Sequence, residues 1–107
     1  MNREIIQQVM VKLQEIMKES IKKGLKEGNI GDLNKYFTEE YYKIGCEILK
    51  EIYEEIEEGI YQKNKEKHKY SIIKTDTKTL VTSIGEVKFK KRLYRNQEGQ
   101  SFYMFDR

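Results

Sequence analysis

One cysteine, one histidine and no proline stand in this 107-residue chain, and no long apolar run occurs in it. Cys46 cannot form an intrachain disulfide, and the lack of a second cysteine fits a reducing cytosolic setting. With His68 as the only histidine, there is no soft-ligand set for a structural zinc ion. Charges interrupt every apolar stretch, which excludes a helical membrane span and, after Arg3, the apolar core of a signal peptide. The protein is expected to be soluble and cytoplasmic, with no membrane partner. A Gly-rich phosphate loop, a nucleophile elbow, paired-cysteine spacing and internal repeats are also missing. No enzyme activity, cofactor or small-molecule substrate is therefore expected of this chain.

What is present is charge, unevenly placed. From Met1 to Asn64 there are 10 Lys/Arg against 13 Asp/Glu, a net −3, whereas from Lys65 to Arg107 there are 11 against 5, a net +6. An acidic first part and a basic second part draw a polyanion to the latter. The first part reads as helix. Ile5, Val9, Leu13, Met17, Ile21 and Leu25 recur at four-residue spacing, widened by Ile6, Met10 and Ile16, with Asn2 as N-cap and Gly28 to Gly31 as a stop. Asp32 is expected to cap a short turn from Leu33 to Phe37, and Thr38 a second long helix reaching about Lys63. Its buried stripe is expected to be Tyr41, Ile44, Ile48, Ile52, Ile56 and Ile60. Glu54, Glu55, Glu57 and Glu58 read as a solvated face rather than as a metal or acid/base cluster. His68, in the lysine-rich connector, reads as solvated or helix-terminal.

The second part reads as strands: Tyr70 to Ile73 ended by Thr75-Asp76-Thr77, then Thr79 to Ile84, Glu86 to Arg95, and Ser101 to Phe105 after an Asn96 to Gly99 turn. Along Glu86 to Arg95, Val87, Phe89 and Leu93 fall on one face, and Lys88, Lys90, Arg92 and Tyr94 on the other. A Gly85-Glu86 hairpin loop pairs Ile84 with Val87 and sets Thr82 opposite Phe89, Ser83 opposite Lys88, Val81 opposite Lys90 and Thr79 opposite Arg92. Cations at alternate positions project about 7 Å apart, near the phosphate spacing of one nucleic-acid strand. Lys88, Lys90 and Arg92 are thus candidate phosphate contacts, with Lys78 and Arg95 outside them. Tyr94 serves either as a phosphate donor and stacking surface or as cover for the sheet. The competing reading of the whole row is a solvated strand face whose lysines discourage edge pairing.

The order of these segments resembles a known family. A long acidic helix ends in Glu-Glu-Ile-Glu-Glu-Gly-Ile (54–60), followed by Thr79-Leu80, Ile84-Gly85-Glu86-Val87, Arg92-Leu93-Tyr94-Arg95, an Asn-Gln-Glu-Gly turn and Phe-Tyr-Met-Phe-Asp (102–106). This is similar to the N-terminal region of bacterial insertion-sequence transposases of the ISLre type, catalogued as an uncharacterised protein family. The resemblance implies several hundred further residues carrying an Asp-Asp-Glu, metal-dependent nuclease region. Asp32, Asp76 and Asp106 match no part of that catalytic motif, so the resemblance assigns this chain neither catalytic residue nor magnesium site.

The expected fold is α+β: a hairpin of two long helices (1–64), then a small basic antiparallel β-meander of three to four strands (65–107), packed together as part of a longer protein. The expected function is a non-catalytic transposase module that binds or positions DNA and self-associates. Its rival is a protein–protein scaffold without nucleic acid.

Overall fold

The computed structural model describes residues 3–105. Two helices, α1 (Arg3–Glu27) and α2 (Ile30–Lys67), precede three strands, β1 (Ser71–Thr82), β2 (Gly85–Arg95) and β3 (Ser101–Tyr103), which form one antiparallel sheet in the order β1-β2-β3. The arrangement is α+β, and the helices form a hairpin. Asn2, expected to cap α1, lies outside the described residues. At its far end α1 stops because Gly28 turns to φ 63, a left-handed conformation that costs glycine least.

The second helix starts earlier than its sequence suggests. Asn29, extended at φ −104, accepts the Asp32 N–H on its side chain at 3.2 Å, and Leu33 N–H bonds to Asn29 O. With that cap in place, nothing between Leu33 and Phe37 interrupts the helical ladder, so the turn expected there and the Thr38 cap are absorbed into one 38-residue helix. Such a helix is about 57 Å long. It accounts for the 65 Å length of the molecule and a radius of gyration of 19.3 Å, where a compact chain of this size has about 13 Å. His68, in the left-handed region, closes α2. Asn64 is buried there and holds the connector, donating to Tyr70 O at 3.0 Å and accepting from Tyr70 N–H at 2.8 Å.

The strand pattern needs two corrections. Thr75-Asp76-Thr77 does not end a strand: β1 runs unbroken through it, with one irregularity between Ile72 and Lys74, and the sheet has three strands. Tyr103 holds the segment from the far side of β2 by donating to Asp76 Oδ2 at 2.6 Å. The hairpin loop is Ser83-Ile84 rather than Gly85-Glu86, so Leu80, not Ile84, pairs with Val87, and Lys78, not Thr82, faces Phe89. Ile84 is drawn into the turn by α2: a Cβ at Gly45 would lie 2.6 Å from Ile84 Cδ1, and Cys46 Sγ lies 3.6 Å from Ile84 O. Gly85 then begins β2 at φ 139, and Thr82 Oγ1 bonds to its carbonyl at 2.7 Å. The register error is four residues. Being even, it leaves every side chain on its expected face.

The main core lies where α2 meets the sheet. Val87 and Phe89 are buried as the alternation requires, and Tyr53, Phe89 and Phe105 cluster with ring centroids 4.9 to 6.0 Å apart. Lys91 is buried with them, its ammonium 5.1 Å from the Tyr103 ring centre. Helix α1, by contrast, packs on α2 alone among the described elements. Its covered row is Ile5, Val9 and Ile16, and not the whole four-spaced stripe. Four residues advance a helix by about 400°, so a strict four-residue repeat drifts roughly 40° per step and winds off the contact face. Leu13, Met17, Ile21 and Leu25 are left exposed.

Candidate nucleic-acid interface

Helix α2 lies along the edge of β2 that β1 does not occupy. Strand β3 covers only Leu93 to Arg95 of that edge, which leaves the N–H groups of Lys90 and Arg92 to be satisfied otherwise. Glu54 Oε2 accepts from Lys90 N–H at 3.4 Å, and Glu57 Oε1 accepts from Arg92 N–H at 3.1 Å. The expected solvated face of glutamates is therefore corrected: Glu57 is 3% exposed and acts as the missing strand neighbour.

The six expected phosphate contacts are dispersed by this packing. Arg92 turns onto α2, donating through Nη1 to Glu57 O at 3.3 Å and through Nη2 to Glu58 Oε2 at 2.8 Å, with its guanidinium 4.2 Å from the Tyr61 ring centre. Hydrogen bonds from Gln62 and then from Arg92 hold the Glu58 carboxyl below its ordinary pKa. Tyr94, placed by alternation on the cationic face, is 0% exposed. Burial and then the Glu57 carboxylate push its hydroxyl pKa up. It is a core residue, closed to stacking or phosphate binding, because α2 and β3 cover that end of the face. Lys78 sits on the opposite face, 4.6 Å from the Tyr103 ring centre. Arg95 is exposed at the end of β2, beside the Asn96 to Gln100 turn.

Lys88 and Lys90 remain together on the open face. Thr79 and Thr77 lie directly opposite them on β1, with Thr75 next in line opposite Arg92, and all three threonines are exposed. The neighbours on β1 are small and neutral, as the sequence suggested, although each expected pairing is shifted four residues along β1 and Arg92 and Lys90 gain glutamates from α2. Lys90, Arg92, Thr75, Glu54, Glu57 and Glu58 line a cleft of about 160 Å³. The hydroxyls of Thr75 and Thr77 are the part of the site that the sequence reading missed, Thr79 having been expected on this face opposite Arg92. Their signal was the alternation Thr75, Thr77, Thr79, obscured by treating its first half as a strand end. Two ammonium groups beside a ladder of hydroxyls offer point charges and hydrogen-bond donors to a phosphate chain. Among the described residues no three His, Cys, Asp or Glu side chains are grouped to hold a metal ion, and no helix is long and apolar enough to cross a membrane.

A small α+β module with a cationic, hydroxyl-lined hairpin face is the class that these features define. Residues 21–107 match the Uncharacterised protein family (UPF0236), and the chain belongs to that family. Two UPF0236 proteins of Caldanaerobacter subterraneus subsp. tengcongensis are similar to it. One is 29% identical over 93 residues, covering 86% of this chain and 20% of the relative. The other is 27% identical over 92 residues, covering 85% and 19%. The chain thus spans about one fifth of the length of these relatives. No solved structure matches it.

Proposed function

We propose that this chain is a non-catalytic module of an insertion-sequence transposase of the ISLre type, and that it binds or positions DNA along the open face of the β1–β2 hairpin. The observation that carries the reading is the pair Lys88 and Lys90, exposed at alternate positions opposite Thr79 and Thr77. Two further facts support it. The relatives are about five times as long as the matched segment, which leaves room for a catalytic region elsewhere. The name of the second relative also joins eleven loci of one strain, the multiplicity that a mobile element produces. The scaffold reading draws on a different observation, the apolar side chains left exposed on α1.

Duplex binding across a salt series tests the proposal. Lys88→Gln with Lys90→Gln should weaken binding irrespective of sequence and reduce the salt slope by about one unit for each phosphate no longer neutralised. Arg92 is left intact because its guanidinium holds β2 to α2. The control, Lys18→Gln with Lys26→Gln on α1, should bind as the unaltered chain does. Equal binding by both double variants would overturn the DNA reading and leave the scaffold in its place.

A further inference from the structure

We propose that the side of the α1–α2 hairpin turned away from the sheet is a self-association face, on which a second copy of this chain packs to form a four-helix arrangement. Ile6, Met10, Leu13, Met17, Ile21 and Leu25 on α1 are 41 to 84% exposed, and Ile30, Phe37 and Tyr41 on α2 are 45 to 74% exposed. At about 100° per residue, the α1 seam lies roughly 100° around the helix from the row that meets α2. The α2 strip, which continues through Ile48 and Ile52, is offset by roughly 85° in the same rotational sense. Because the two helices are antiparallel, equal rotations lead to the same side of the pair. Tyr53, Glu57 and Asn64, which meet the sheet and its connector, lie on the other side of α2.

The choice of a second copy as occupant rests on charge and area. No charged residue of α1 from Glu4 to Lys26 falls within the seam at helical spacing, and none of α2 from Ile30 to Ile52 falls within the strip. Where two identical surfaces meet across a two-fold axis, a charged residue at the axis faces its own copy. Along α1 from Glu4 to Lys26 and α2 from Ile30 to Ile52 none meet, and over that stretch a charged partner finds nothing to recognise. The nine residues offer on the order of 900 Å² per copy, taking roughly 200 Å² for a large side chain. A stable interface of standard size takes about 800 Å² from each partner. Phe37 and Tyr41 already stack at 5.9 Å, forming a rigid rim, and Met10 and Met17 are adaptable fillers beside it. The face is separate from Lys88 and Lys90, so it stands or falls independently of DNA binding.

The mass of the 12.9 kDa chain in solution at about 100 μM, well above the micromolar range of ordinary specific interfaces, provides the test. The unaltered chain should have the mass of two copies. Met10→Glu with Met17→Glu should have the mass of one, with unchanged helix content by circular dichroism, since both side chains are exposed in the single copy. Lys26→Glu, on the polar side of α1, and Lys88→Gln with Lys90→Gln, on the sheet, should retain the two-copy mass. A one-copy mass for the unaltered chain would overturn the proposal, as would a two-copy mass that survives both methionine substitutions.

Discussion

The two ends of this elongated molecule bury their side chains by different means. Where α2 meets the sheet, aromatic rings from α2, β2 and the segment after β3 interlock, and the helix supplies carboxylates to a strand edge that lacks a neighbour. Where α1 meets α2, Ile16 and Ile44 are buried, while the fringe consists of the exposed ion pair Lys12–Glu47 at 2.6 Å and Lys23 lying 5.2 Å from the Tyr36 ring centre. An exposed pair of this kind contributes roughly 0 to 1 kcal/mol. The difference teaches that the sheet end carries the stability of the single chain, and that α1 retains an apolar surface which its own hairpin does not cover.

The sharpest break of that comparison is Phe89→Ala against Met17→Ala. Losing the buried ring should cost roughly 3 to 5 kcal/mol, most of the stability that a domain of this size has. Losing the exposed thioether should change single-chain stability by about 0.5 kcal/mol or less. Chemical denaturation at low protein concentration, below self-association, measures both, and similar losses would show that the two ends are equally packed.

A smaller effect is expected at the joint between the two regions. Asn64→Ala removes both partners of the Tyr70 backbone, an unmade pair costing about 1 to 3 kcal/mol. Hydrogen exchange should show β1 opening more readily while α1 is unchanged. Protection lost equally in α1 would mean that the joint does not separate the two regions.

The smallest effect is a dependence on pH at the strand edge. The Glu58 carboxyl is held below its ordinary pKa by Gln62 and Arg92, so its contribution is present near neutral pH and lost as the pH falls through the carboxylate range. Because Glu58 is about half exposed, the contribution is roughly 0.2 to 1 kcal/mol after solvent screening. Glu58→Gln should be less stable than the unaltered chain at pH 7 and nearly equal to it near pH 3, by melting temperature. A constant gap at both pH values would remove ionisation as its cause.

Much of this fold can be read along the chain. The two helical stretches, the Gly28 stop, the Asn96 to Gly99 turn and the burial of Val87 and Phe89 follow from periodicity and turn chemistry, which act within a few residues. The site was less legible. Lys88 and Lys90 are exposed where alternation places them, but Tyr94 obeys the same alternation and is buried, because α2 and β3 close over one end of that face and leave the other open. The burial of Glu57 carries no local signal either. Its role depends on a strand edge whose Arg92 lies 35 positions away.

The sequence by itself determined that two long helical stretches precede extended ones and which face of β2 each of its side chains takes, since both follow from the repeat of the backbone, although it broke α2 at Leu33–Phe37 and β1 at Thr75–Thr77. Alternation left the hairpin register open, because a slip of four residues preserves it; the observed register seats Ile84 against Gly45 and Cys46 of α2 and bonds Thr82 Oγ1 to Gly85 O across the turn. The same packing decided which cations stay free. Arg92 and Lys90 have the same charge and fall on the same face, but the glutamates and Tyr61 of α2 lie within reach of the Arg92 guanidinium and engage it, while the side chains of Lys88 and Lys90 stay exposed beside the helix.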